Sequence, residues 1–156
     1  MIERERDQPD PRWERLYADC RPPLYRAAAF LVGDAEGEEV VQDAFERAMR
    51  QQRFLDEVRE PLAWLRRVVI RLAISRLRRR QVWDRIRLLL DQHEPQRDPD
   101  LETAIRRLSP TMRGAIVLRY YFDAEYAEIA STLGISEASV STTLSRARAA
   151  LRRDLA

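Results

Sequence analysis

The side chains best placed to do chemistry in this chain are arginines, and the chemistry they suit is non-covalent recognition of an anionic polymer. All 28 basic residues are arginine. The guanidinium is a planar fork that matches phosphates and guanine edges. In residues 61–80, PLAWLRRVVIRLAISRLRRR, the residues Trp64, Arg67, Arg71, Ser75 and Arg78 recur at helical spacing and share one face. That face joins cations for phosphate to an aromatic ring able to stack on an unpaired base. Its apolar counterpart is Leu65, Val68, Val69, Leu72 and Ala73. Net charge over the whole chain is only +2, yet residues 51–90 carry 11 arginines against 4 acids. So uneven a distribution points to a localised polyanion contact.

A second constellation lies at 125–148, EYAEIASTLGISEASVSTTLSRAR. The spacing predicts a short helix burying Ile129, Ala130 and Leu133, then a tight turn, then a longer helix. Gly134 supplies a residue free to take positive φ, and Ser136 supplies an N-cap. Val140, Leu144, Ala147 and Leu151 form the buried stripe of the second helix. Its outer side presents Ala138, Ser141, Thr142, Ser145, Arg146 and Arg152. Helix–turn–helix pairs of this shape place their second helix in a DNA major groove. A plain bundle hairpin has the same stripe. However, Ser and Thr are weak helix formers, and their concentration outside favours close approach to another surface.

A third constellation is acidic. In residues 36–50, EGEEVVQDAFERAMR, the residues Val40, Val41, Ala44, Phe45, Ala48 and Met49 face a core, while Glu39, Gln42, Asp43 and Glu46 point elsewhere. An acidic helix is a poor DNA ligand and suits a protein-docking face. No glycine-rich phosphate loop, metal-ligand spacing or nucleophile with a base is present, which reads as a binding protein rather than an enzyme. Cys20 stands alone, so an internal disulfide is excluded and a packed, reduced thiol is expected. His93 reads as a solvated loop residue. No apolar run approaches a membrane span and the stretch MIERERDQPDPR has no signal-peptide shape, so a cytoplasmic location is expected.

The elements that hold these groups are helical throughout. Glycine is rare, strand alternation is absent, and helices are predicted at 11–32, 35–52, 61–80, 83–91, 101–107, 111–121, 125–133 and 136–153. Pro22 and Pro23 should interrupt or kink the first. The polar stretch 91–100, DQHEPQRDPD, is the best linker candidate. The expected architecture is all-α: a domain over 1–82, a linker over 83–100 and a helix–turn–helix domain over 101–156. Eighteen linker residues reach about 60 Å when extended, comparable to ~17 base pairs at ~3.4 Å each.

Taken together, these stretches resemble the extracytoplasmic-function (ECF) group of bacterial RNA polymerase sigma factors. Residues 39–50 resemble its region 2.2, residues 64–80 its region 2.4, and residues 108–151 its region 4, with Leu-Ser-Pro at the start and Ser-Arg-Ala-Arg near the end. The resemblance implies that Glu39, Val40, Gln42, Asp43 and Glu46 dock on core RNA polymerase. It implies that Phe54, Asp56, Trp64, Arg67, Arg71, Ser75, Arg78 and Arg79 read and open the −10 promoter element around a flipped base. Ser136, Glu137, Ala138, Ser139, Ser141, Thr142, Ser145, Arg146 and Arg148 would read the −35 element as duplex. The linker would thread through polymerase. An anti-sigma factor is an expected partner; a cofactor, a metal, a small-molecule substrate and a membrane contact are not. The active protein would associate with the nucleoid.

The sequence departs from the family pattern at four positions. Arg71 and Ser75 stand where the family often has Asn and Asp, and Ser141 and Thr143 stand where Lys and Arg are frequent. Missing phosphate contacts weaken binding to all sequences, so weak DNA binding is expected of the isolated chain, with polymerase supplying avidity. The alternative is a stand-alone helix–turn–helix regulator. Such proteins pair to read two half-sites, which leaves the acidic helix unexplained.

Overall fold

The structure, a computed structural model, describes residues 10–90 and 101–156. Among these residues no strand forms. Helix α1 is Pro11–Val32, α2 is Asp34–Arg50, α3 is the single turn Phe54–Glu57 and α4 is Pro61–Leu90. Then come α5 (Leu101–Arg107), α6 (Pro110–Ile116), a π-helical segment (Val117–Tyr121), α7 (Tyr126–Leu133) and α8 (Glu137–Leu155). The all-α architecture follows from the sequence, as do most helix positions.

Local chemistry fixes the ends. Asp10 caps α1, accepting from the Arg12 backbone nitrogen at 2.9 Å, with Pro11 at the first helical position. Ser109 and Pro110 repeat the device at α6. Gly134 ends α7 at φ 68°, and Ser136 caps α8 by accepting from Ser139 N at 3.2 Å. α1 and α2 meet at Gly33 with no intervening loop, because φ 94° there turns the chain sharply. They then pack so closely that Gly37 leaves no room for a side chain against Ala29.

Three expectations are corrected. Pro22 and Pro23 do not interrupt α1. The amides they lack would have served the carbonyls of Ala18 and Asp19, two exposed residues on the water side, where solvent can serve those carbonyls instead. The helices drawn at 61–80 and 83–91 are one helix. Arg80-Gln81-Val82 contains neither Gly nor Pro, so nothing breaks it, and α4 runs on through residues 83–90 of the expected linker. The remainder of that linker, 91–100, lies outside the described residues. Finally, α3 was not foreseen; four residues are too few to show a period.

The helices share one core. α1, α2 and α4 pack together, α6, α7 and α8 pack together, and α4 also packs on α6 and α7. Leu24, Val40, Val41, Leu65, Val69 and Ile70 on one side join Leu118, Ile129, Val140 and Leu144 on the other in a single apolar cluster. Burying each such side chain is worth about 1.5–3 kcal/mol.

Candidate nucleic-acid interface

Three surfaces carry the residues singled out by sequence. On α2, Glu39, Gln42 and Glu46 are exposed and Asp43 is half-buried. Arg76, reaching from α4, donates to Glu39 Oε2 at 2.8 Å and to Asp43 Oδ2 at 3.0 Å. These carboxylates therefore form an acidic ridge braced from beneath. Val40 is a correction: its side chain is 0% exposed and anchors α2 in the core, so it offers no docking surface in this state.

Around α3, Phe54 is packed inward. Its ring is buried, stacked on Trp13 at 5.5 Å and meeting Trp64 edge-on at 4.9 Å. This packing holds the loop in place, and Trp64 is half-buried by the same contacts. Asp56 is exposed and paired with Arg12 at 2.8 Å. Beside it opens a cavity of about 270 Å³ lined by Gln51, Gln52, Arg53, Phe54, Glu57 and Val58.

Arg71, Arg78 and Arg79 on the outer face of α4 are exposed, and each also has a partner within the protein. Arg71 donates from Nε to the Thr132 carbonyl at 3.0 Å and from Nη2 to the Ser131 carbonyl at 2.7 Å. Arg78 donates to Thr111 Oγ1 at 3.2 Å, and Arg79 to Ser75 Oγ at 3.3 Å. With Ile74, Val82 and the turn Thr132-Leu133-Gly134, these residues line a cleft of about 560 Å³. Arg67 is half-buried, and its Nε is buried with no hydrogen-bond partner among the described residues.

On α8, Ser136, Glu137, Ala138, Ser139, Ser141, Thr142, Ser145, Arg146 and Arg148 are all exposed, while Val140, Leu144 and Ala147 are buried. Thr143 is half-buried. The Ser136 and Ser139 hydroxyls share a hydrogen bond at 2.7 Å. Arg148 donates to Tyr120 Oη at 3.0 Å, so its guanidinium is held against the helix surface.

Sequence reading missed the residues that join these surfaces. Arg76 reads as one more cation in a basic block, yet it ties α4 to the acidic ridge. Arg66 pairs with Glu128 of α7 and lies 5.2 Å from the Phe122 ring. Arg113 is buried and donates to the carbonyls of Leu108 and Arg106, which fixes the α5–α6 corner. Burial pulls its guanidinium below the usual arginine range, with Arg106 and Arg80 adding to the effect. An apolar neighbourhood around Arg113, in SPTMRGAIV, was the one available signal.

Comparison with known proteins bears on this geometry. Residues 16–82 match the family model "Sigma-70 region 2" and residues 99–151 match "Sigma-70, region 4". The chain is 31% identical to the ECF RNA polymerase sigma factor SigE of Mycolicibacterium smegmatis over 94% of its length, and spans 62% of that relative. It is 30% identical to the ECF RNA polymerase sigma factor SigL of Mycobacterium tuberculosis H37Rv, over 90% of this chain and 86% of that one. The fold is like that of the sigma factor RpoE of Bartonella quintana, solved in complex with the anti-sigma factor NepR. The TM-score is 0.71 at 23% identity, over 94% of this chain and 98% of that one.

Proposed function

Because the chain belongs to the ECF group of sigma-70 RNA polymerase sigma factors, we propose that it binds core RNA polymerase and directs transcription from promoters with matching −35 and −10 elements. Its role is recognition, not bond chemistry. The acidic ridge of α2 docks on polymerase through Glu39, Gln42, Asp43 and Glu46. The face of α4 with Trp64, Arg67, Arg71, Ser75, Arg78 and Arg79 engages the −10 region, and the cavity beside Asp56 receives an extruded base. Extrusion costs a few kcal/mol, which contacts in the pocket must offset. The exposed side of α8 enters the major groove at the −35 element. Residues 1–82 form the first unit, 83–100 the connection and 101–156 the second. The protein works in the cytoplasm on nucleoid DNA, and an anti-sigma factor holds it inactive until a signal releases it.

The observation that carries this reading is the exposed acidic ridge of α2 on the same chain as an exposed, hydroxyl-rich recognition helix. A stand-alone DNA regulator has no use for the ridge. The test is binding of the purified chain to bacterial core RNA polymerase beside Glu46→Arg, a residue that is exposed and only loosely paired with Arg50 at 3.5 Å. Tight binding that the variant loses supports the proposal. Absence of binding by the folded wild type, freed of any inhibitor, refutes it.

A further inference from the structure

The acidic ridge of α2 rests on two arginines of α4. Arg76 and Arg80 stand one turn apart on α4 and both reach across to α2. Arg80 pairs with Glu36 and donates to the Val32 carbonyl at 3.1 Å. Arg76 sends its two arms to different carboxylates, Nη1 to Glu39 at 2.8 Å and Nη2 to Asp43 at 3.0 Å. These contacts are layered. The Arg76 side chain is 22% exposed, against 66% for Glu39 and 45% for Asp43, so the cation lies underneath and the acids face outward. Each acid meets Arg76 through one oxygen, and a carboxylate accepts through two. The pairing therefore leaves each acid able to accept from a partner outside. Glu46 is supported differently: its ion pair is with Arg50 of the same helix, 76% exposed, at 3.5 Å.

Glu39 and Asp43 are four residues apart on one helix, where like charges repel. Left alone they would point apart and sample several rotamers, and binding would carry the entropic cost of ordering them. We propose that Arg76 is a positioning residue for polymerase binding: its fork fixes Glu39 and Asp43 in one shared geometry before the partner arrives. The inference rests on the sigma-factor reading and deepens it, because it gives a residue of the DNA-reading helix a part in forming the polymerase surface. The partner surface it fits is cationic, with donors for two outward carboxylates set one helical turn apart. The planar guanidinium is what suits Arg76 to the task. A lysine is a flexible point charge without the fork.

Charge alone predicts the opposite sign, which makes the test sharp. Arg76→Met removes a cation from an acidic ridge, so steering toward a cationic partner should improve. Under the proposal affinity falls, by about tenfold, because two side chains must now be ordered in the binding step. The loss appears in the dissociation rate. Biolayer interferometry of the purified chain on immobilised bacterial core RNA polymerase gives both rates. Arg80→Met is the control. It makes the same charge change and also removes a tie between α4 and α2, but its acid, Glu36, lies outside the docking set, so binding should stay at the wild-type level. A brace that served stability alone would act independently of the docking acids. A positioning residue acts through them, so Arg76→Met must weaken binding less in an Asp43→Asn background than in the wild type. Binding by Arg76→Met that is unchanged or tighter, an equal loss in Arg80→Met, or strict additivity with Asp43→Asn overturns the proposal and leaves the sigma-factor reading standing. A folded wild type that binds no polymerase overturns that reading, and the proposal with it. Should Arg76→Met fail to fold by circular dichroism, Arg76→Lys takes its place. It keeps the charge without the fork, and an unchanged dissociation rate overturns the proposal.

Discussion

Gly37 offers a sharp test of how α2 is held. It lies on the face of α2 that meets α1. A Cβ there would stand 2.7 Å from Ala29 N, 2.8 Å from Ala29 Cα and 3.2 Å from the Ala28 carbonyl carbon. These are backbone atoms inside a helix, so no change of rotamer relieves the overlap. Gly37→Ala must push the two helices apart toward the 3.4 Å at which ordinary contact begins. That movement loosens Ala28, Val40, Val41 and Ala44, all of them 0% exposed. Overpacking of a core costs about 1–3 kcal/mol, and contact with rigid backbone belongs at the upper end. Against it stands a gain of about 0.5–1 kcal/mol from replacing glycine within a helix. The expected net loss is about 2 kcal/mol, or a Tm lower by about 4–8 °C for a chain of this size. Thermal and urea unfolding followed by circular dichroism measure it. A variant as stable as wild type, or more so, would refute the reasoning, because the helix-propensity gain alone would then have decided the outcome.

The remaining predictions concern single groups. Phe54→Ala should cost about 3–5 kcal/mol as a large core truncation and should red-shift tryptophan emission, since Trp13 and Trp64 both lose a ring partner; unchanged emission would place Phe54 outside the stack. Cys20 is 5% exposed, and burial, with Asp19 adding to it, pushes its thiol above the ordinary cysteine value. Native protein should therefore react with a thiol reagent far more slowly at neutral pH than urea-unfolded protein, and equal rates would contradict the burial. Hydrogen bonds from Arg12 hold the Asp10 carboxyl below its usual range. A depressed folded value means the contribution is present above the ordinary carboxylate pKa and fades as pH falls through the folded value. Asp10→Asn keeps a capping oxygen and should flatten the acid limb of the stability–pH curve.

Much of this fold was legible because its signals are local. A capping serine after a glycine is a chemical instruction readable in three residues, and Gly134-Ile135-Ser136 carries it. The stripe of Val140, Leu144 and Ala147 is a period, and a period survives any tertiary context. What was not legible depends on distant partners. Val40 and Phe54 sit in stretches that resemble functional motifs, yet a motif does not state which of its members hold the backbone and which meet the ligand. Burial decides that, and burial comes from other helices, as Trp13 of α1 stacks on Phe54. Arg66, Arg71 and Arg76 are three cations of one helix with three different jobs: one pairs with Glu128, one caps carbonyls of α7, one braces the α2 ridge. Their spacing gives the face each occupies but not what stands opposite it. That the two units share a core was likewise invisible, because Ile74 and Leu77 read equally well as the inner side of a lone domain.

The continuity of α4 changes how the chain can span a promoter. Eighteen extended residues were expected to provide about 60 Å of reach. Residues 83–90 are helical and advance only about 12 Å instead of about 28 Å. The linker candidate 91–100 would reach at most about 35 Å if fully extended, or ~10 base pairs. The missing length is supplied by α4 itself, since the helix from Arg71 to Leu90 is about 28 Å long. If 91–100 is the linker the sequence suggests, the span between the two reading surfaces combines a rod with a tether, and the two respond differently to change. Removing three residues from 91–100 should shorten the largest tolerated spacing between promoter elements by about three base pairs, with little effect on spacings already shorter. Removing three residues from 83–90 shortens the rod by only about 4.5 Å but rotates its end by about 300°. It should disturb every spacing at once, because the tether then leaves α4 on a different side. Transcription in vitro from a series of templates with varied spacing separates the two patterns. Identical responses to both deletions would mean that the rod does not persist in the promoter complex.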